Sequence, residues 1–312
     1  MSTPPAPERA ATSLGPDWIA GIAEVEPVPA PFCGRLDAGV ASLALTLTAE
    51  SSHFGAATSQ LIRQRFARCF DQDGTLPVIR CSLRAGTQAF LPHDGRQGKE
   101  PVATRIADGW RAAWCYSDVR ARVGARQSTG RFSDRWSGLE HALRSALIFS
   151  TMPGEALYFH AATLVFDGHA FLLAGSPNAG KSTISREGGA ERVVCNELSI
   201  LARRADGWWA LPSPFWGTTD VARYEAPAPL KALTVLTQAP EETVWERLEG
   251  AAATQALAPH LGVQAREHWT DPALLGALAQ LTRELPTYTL AWKRGTHPMA
   301  ASPWPELAHG SR

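Results

Sequence analysis

The string GSPNAGKS at 175–182 is a complete G-x-x-x-x-G-K-[ST] pattern, the spacing at which a backbone loop can cradle the phosphates of a nucleotide. Gly175 and Gly180 permit backbone angles that turn successive N–H groups inward as an anion cradle, with Ser176, Pro177, Asn178 and Ala179 as the span between them. Lys181 would reach the β- and γ-phosphates, and Ser182 would offer a hydroxyl to Mg²⁺. Thr183 continues into a helix whose positive end adds to the cradle. The chemistry implied is the binding of a nucleoside triphosphate together with Mg²⁺.

Such a loop works only where a strand delivers it and a helix carries it away. The apolar run AFLLA at 170–174 follows a turn signal at Asp167 and Gly168 and predicts a buried strand. It forms a hairpin with a strand over 157–166, and a helix over 182–187 follows, ended by Gly188 and Gly189. Further strands are predicted over 192–195, 198–203, 208–211, 230–237 and 287–292, and helices over 241–248 and 271–283. Upstream, Leu139, Leu143, Ala146, Leu147 and Ile148 fall on one stripe of a helix over 138–150.

Before that helix, the alternation ASLALTLT at 41–48 predicts a half-buried strand; 76–83 and 110–116 are further extended stretches, and 57–70 reads as a short helix. Residues 117–136 carry Arg120, Arg122, Arg126, Arg131 and Arg135 and read as a solvated linker or loop face, with a docking surface for an acidic peptide as the alternative. The organisation expected is a flexible lead-in over 1–30, a strand-rich α+β module over 31–137, and a nucleotide-binding α/β domain over 138–312.

A hydrophobic fraction of 45% and a charged fraction of 19% describe a globular chain with ample material for a core. Zero net charge leaves no overall field to attract nucleic acid or an anionic membrane, so neither is expected as a partner. The five cysteines are scattered and odd in number, which argues for a reducing compartment rather than a disulfide framework. With no signal-peptide pattern and no long apolar stretch, the cytoplasm is the expected location. Lysine is scarce, only Lys99, Lys181, Lys231 and Lys293, so one in the loop is not a by-product of composition. Trp208, Trp209 and Trp216 read as packing, with a stacking platform as the alternative.

What surrounds the loop narrows its kind. Guanine readers carry D-x-x-G and N-K-x-D downstream; this chain has neither there, its one D-x-x-G lying upstream at 71–74. A transporter-type ATPase places its acidic strand end much further from the loop. From 159 to 197 the chain instead resembles the HPr kinase/phosphorylase family, whose nucleotide loop is related to that of phosphoenolpyruvate carboxykinases. HAATLV at 160–165 is similar to a histidine-led strand of that family, and His160 precedes Gly175 by fifteen positions. VVCNE at 193–197 ends where the family places two adjacent acids, and SPFWG at 213–217 and APLKALTVL at 228–236 resemble strings of its looser relatives.

The resemblance implies an α/β P-loop kinase domain with a mixed sheet, preceded by the strand-rich α+β module. It also implies an ATP- and Mg²⁺-dependent transfer of the γ-phosphoryl group to a serine or threonine hydroxyl of a small protein or peptide. Ser182 and Glu197 would hold the metal, and His160 would stand beside the transferring group. The enzyme family's hexamer is not carried over, and assembly into a homo-oligomer is left open.

The chain departs from that pattern at Asn196, which stands where the family has its proton-accepting acid. An amide has no useful basicity. Either Glu197 or His160 takes the role, or proton removal contributes little in a loose transition state. Otherwise the chain binds ATP without transferring phosphate, as a regulatory or scaffold partner of another, for example peptide-modifying, enzyme. Arg223, Lys293 and Arg294 are cations that could reach the phosphates, and Cys195 reads as a small buried hydrophobe.

Overall fold

A computed structural model of the chain describes residues 28–49, 62–66, 68–69, 76–86, 102–114, 116–122, 125–133, 136–151, 154–217, 225–239, 241–262 and 271–304. The architecture is mixed α/β with two mixed sheets. The first sheet holds β1 (Val28–Asp37), β2 (Ser42–Ala49), β3 (Val78–Gly86), β4 (Val102–Ile106), β5 (Gly109–Trp114), β6 (Ser117–Arg122) and β7 (Gln127–Ser133), in the spatial order β1-β2-β3-β7-β6-β5-β4. β3 lies parallel to both β2 and β7, and the other neighbours are antiparallel.

Two expectations for this half need correction. Residues 117–136 are not a solvated linker: they form β6, β7 and the start of a helix. Val119 and Ala121 are buried on either side of Arg120, and Arg122 beyond them is exposed, so the apolar alternation is masked by the high arginine content. β1 begins at Val28, inside the stretch read as a lead-in, whose residues 1–27 lie outside the described set. Of the helix expected over 57–70, residues 62–66, 68 and 69 are described, and 62–65 are helical.

Helix α1 (Trp136–Ser150) presents Leu139, Ala142, Leu143, Ala146 and Leu147 to one buried cluster. That cluster takes in Leu43, Leu83 and Phe132 of the first sheet, and Tyr158, Leu198, Ile200 and Phe215 beyond the helix. The apolar core therefore runs without a break past residue 137.

The second sheet holds β8 (Leu157–Phe166), β9 (His169–Ala174), β10 (Arg192–Cys195), β11 (Leu198–Arg204), β12 (Gly207–Leu211), β13 (Ala228–Gln238), β14 (Val244–Leu248) and β15 (Thr287–Trp292). β8 is its hub. β10 and β11 follow one another antiparallel along one edge of β8, and β9 occupies the other edge. β9 runs parallel to β13, and β13 parallel to β15. Because β13 also meets β12, which meets β11, the pairings close a ring through β8, β11, β12, β13 and β9.

The inner face of this ring buries Leu157, Phe159, Ala161 and Val165 of β8 against α3 (Gly250–Leu257) and α4 (Pro272–Glu284). The helix expected over 241–248 is a strand instead, with α3 starting only at Gly250. Val244 and Trp245 suit the edge position that β14 takes against β15, and Glu246 and Arg247 face solvent there. Among the described residues no helix is long and apolar enough to cross a membrane.

Candidate functional site

Alternation along β8 sends His160 to the outer face, opposite Phe159 and Ala161. Two apolar clusters cover that face. Tyr158 is buried in the cluster that includes α1, while Leu164 and Phe166 are buried with Ile184 of α2 (Lys181–Glu187). His160 sits between them and is half-buried. At this point β8 also exchanges neighbours: Ala161 pairs with Ala174, the last residue of β9, after which the chain leaves as the 175–182 loop.

The loop turns at Asn178 and Gly180, with φ of 67° and 105°, both left-handed. Gly175 does not share that conformation; a side chain there is excluded by space, since a Cβ would stand 2.9 Å from the Leu236 carbonyl oxygen. Gly180 O accepts from the N–H groups of Thr183 and Ile184 at 3.0 and 2.8 Å, which starts α2. Ser176, Pro177, Asn178 and Ser182 are exposed, as an anion-binding surface requires, and Ala179 and Thr183 are half-buried. Lys181 is buried and folds back over the loop, donating from Nζ to Gly175 O at 2.6 Å and to Ser176 O at 3.3 Å. Burial lowers the pKa of its ammonium, opposed by the negative charge of Glu197. A phosphate oxygen would replace these carbonyls as the partner of Nζ.

Glu197 lies in the bend between β10 and β11, where its carbonyl accepts from Ala161 N–H at 3.2 Å. Its Oε1 is 3.3 Å from His160 Nδ1 and 3.5 Å from Arg144 Nη1. Burial alone would raise the Glu197 pKa; the hydrogen bond with His160 and the charge of Arg144 outweigh it and hold the carboxyl at about 2. The group is thus a fixed carboxylate that turns the imidazole of His160 and leaves its Nε2 as the outward nitrogen. Arg144 also pairs with Glu140 one turn back on α1 and lies over the Phe215 ring.

Both side-chain contacts to Glu197 among the described residues use Oε1; Oε2 and the exposed Ser182 hydroxyl are oxygens of the kind Mg²⁺ takes. Among the described residues no group of three or more His, Cys, Asp or Glu is gathered for a metal. An ion taking these two oxygens would have to complete its shell with waters and phosphate oxygens.

Asn196 is placed differently from its neighbour. Its Oδ1 accepts from Gly217 N–H at 2.9 Å, tying the 213–217 string to the bend. Arg65 of the first half holds the same string by donating to the carbonyls of Trp216 and Gly217. Cys195 is buried between the Leu198 and Phe215 carbonyls, and burial pushes its thiol up to about 11. Arg294 is paired with Glu187 at the far end of α2, and Arg223 lies outside the described residues. Trp208 and Trp216 are buried, with their N–H groups satisfied by Glu284 and Ser213, which is packing rather than a platform.

The sequence reading missed Arg144 and His260. Arg144 had a signal, an acid–base pair spaced i,i+4 with Glu140 beside the apolar stripe of α1. His260 had none, because its place depends on a contact between distant segments.

No curated protein matches the chain. The resemblance to the HPr kinase/phosphorylase family does not hold: the stretch that suggested it, 159–197, falls within the match to a different family, and no HPr kinase match accompanies it. A phosphate loop, a histidine fifteen positions ahead of it and an acid at a strand end are short features that unrelated sequences can share. The matching family model spans residues 138–295, half of the 312-residue chain, from α1 to just past β15. On that match the chain belongs to the family described as SynChlorMet cassette protein ScmC.

Proposed function

We propose that the chain binds MgATP on the 175–182 loop of a P-loop-type α/β domain and transfers the γ-phosphoryl group to a serine or threonine hydroxyl of a protein or peptide. The observation that carries this reading is the convergence at the end of β9: the loop and Lys181 emerge beside His160, which is locked to the ionised Glu197. Loop and helix end would take the phosphates, and Lys181 the β/γ oxygens. Ser182 and Glu197 Oε2 would be the protein donors to Mg²⁺, which would supply neutralisation of the phosphate charge. The acceptor oxygen attacks the γ-phosphorus as the bond to the bridging oxygen breaks and ADP departs. The hydroxyl proton passes to His160 Nε2, with Glu197 stabilising the resulting imidazolium. The cytoplasm suits the free, buried thiols of Cys69, Cys81 and Cys195.

A second reading is favoured by one contact. Asn196 is committed to Gly217, so this position supplies structure rather than a base. In that reading the chain is an ATP-binding regulatory or scaffold partner of another enzyme. The test is calorimetry of MgATP binding to wild type and Lys181→Ala, followed by γ-labelled ATP with candidate peptides. Saturable binding lost in the variant, with label moving to a peptide, is the expected result. A folded wild type that binds no MgATP would sink both readings; binding without label transfer would favour the second.

A further inference from the structure

Beyond the end of β9, the open edge of β8 is taken by the segment 258–262. Leu261 forms an antiparallel bridge with Phe159, Gly262 N–H donates to Tyr158 O at 2.7 Å, and Leu257 and Leu261 sink into the inner core. Gly262 approaches so closely that a Cβ would stand 2.7 Å from Leu198 Cδ1. His260 ends the short 3-10 turn Ala258–His260 next to that bridge, near enough to His160 and Lys181 for their charges to act on it. Along this stretch of β8 the 175–182 loop departs beside Ala161 and the 258–262 segment docks beside Phe159, with His160 between them.

We propose that His260 is a further residue of the site, placed on the acceptor side to hold the incoming hydroxyl by a hydrogen bond. This rests on the reading of the loop as an MgATP site. With the phosphates on the loop, the acceptor must approach from the far side of His160, where the 258–262 segment forms the wall. His260 is half-buried there, and burial, then the charges of Lys181 and His160, lower its pKa. The neutral ring keeps one nitrogen as an acceptor and one as a donor, which matches a hydroxyl better than a phosphate oxygen.

The test compares wild type, His260→Ala and His260→Gln by calorimetry with MgADP, and with MgADP plus aluminium fluoride, in which water takes the acceptor's place. MgADP affinity should stay within about twofold, while the aluminium fluoride complex weakens roughly tenfold in His260→Ala and less in His260→Gln. In wild type, the His260 ring NMR signals should shift when aluminium fluoride joins MgADP, a readout that needs no variant. Unmoved signals, or variants that match wild type for both ligands, overturn the role of His260 alone. Weakened MgADP binding would reassign it to the nucleotide and also overturn the proposal. A wild type that binds neither ligand removes the nucleotide reading and this inference together.

Discussion

Arg144 and Glu197 meet at 3.5 Å although 53 residues separate them. The guanidinium comes from the helix that anchors the first sheet, the carboxylate from the bend between β10 and β11. Removing one partner of a shielded pair leaves the other without its counter-charge. Arg144→Leu strands both Glu140 and Glu197, and a loss of about 2–3 kcal/mol is expected from urea denaturation. An unchanged midpoint would show the pair to be solvated in practice.

The 258–262 segment should be separable from the rest of the fold. Gly262→Ala places a methyl against Leu198 and Tyr158, and overpacking of this kind costs about 1–3 kcal/mol. Faster amide exchange at Gly262 and Leu261, with exchange in β9 and β13 little changed, is the expected pattern. Exchange rising equally throughout the sheet would count against a local strap.

Stability should fall on acidification in two stages. Burial first, and then the charge of Arg144, hold His141 down to about 4 against the opposing pull of Glu197. An unfolded histidine titrates near 6.5, so between these values the unfolded chain binds a proton that the folded chain refuses. Folding is therefore favoured above that window and weakened within it as pH falls. Glu197, held at about 2 from an ordinary 4.5, adds a second loss at lower pH. Urea midpoints measured between about pH 7 and 4.5 should decline, and less steeply in His141→Gln. Parallel profiles for the two proteins would remove His141 from the account.

Asn196 offers a test that separates structure from chemistry. Asn196→Ala leaves the Gly217 N–H without its acceptor, at a cost of about 1–2 kcal/mol. Asn196→Asp keeps an acceptor oxygen and should retain most of the stability. If it also speeds γ-phosphoryl transfer, the amide was what limited the wild type; an active wild type unaffected by the change would show that another base suffices.

The loop, its delivering strand and its helix were legible in sequence because their signals are local: a glycine-bounded string and an apolar run. Glu197 was legible for the same reason, as an acid at a strand end. Three things were not. The strands β6 and β7 hide under arginine, since binary pattern weighs charge and ignores the apolar stems beneath it. Val244–Leu248 lost its expected helix to a pairing with Thr287–Trp292, a partner some forty residues on that no local window contains. The place of His260 depends on the bridge that its neighbour Leu261 makes to Phe159, a contact across about a hundred residues.

The family match begins at residue 138, two residues into α1, yet the side chains that seal Tyr158, Leu198, Ile200 and Phe215 include Leu43, Leu83 and Phe132 from before it. Cut out at that boundary, the matched stretch would turn a sealed interior into a sticky band prone to self-association. The preceding sheet thus serves as a tethered cover for the matched stretch, carried on the same chain.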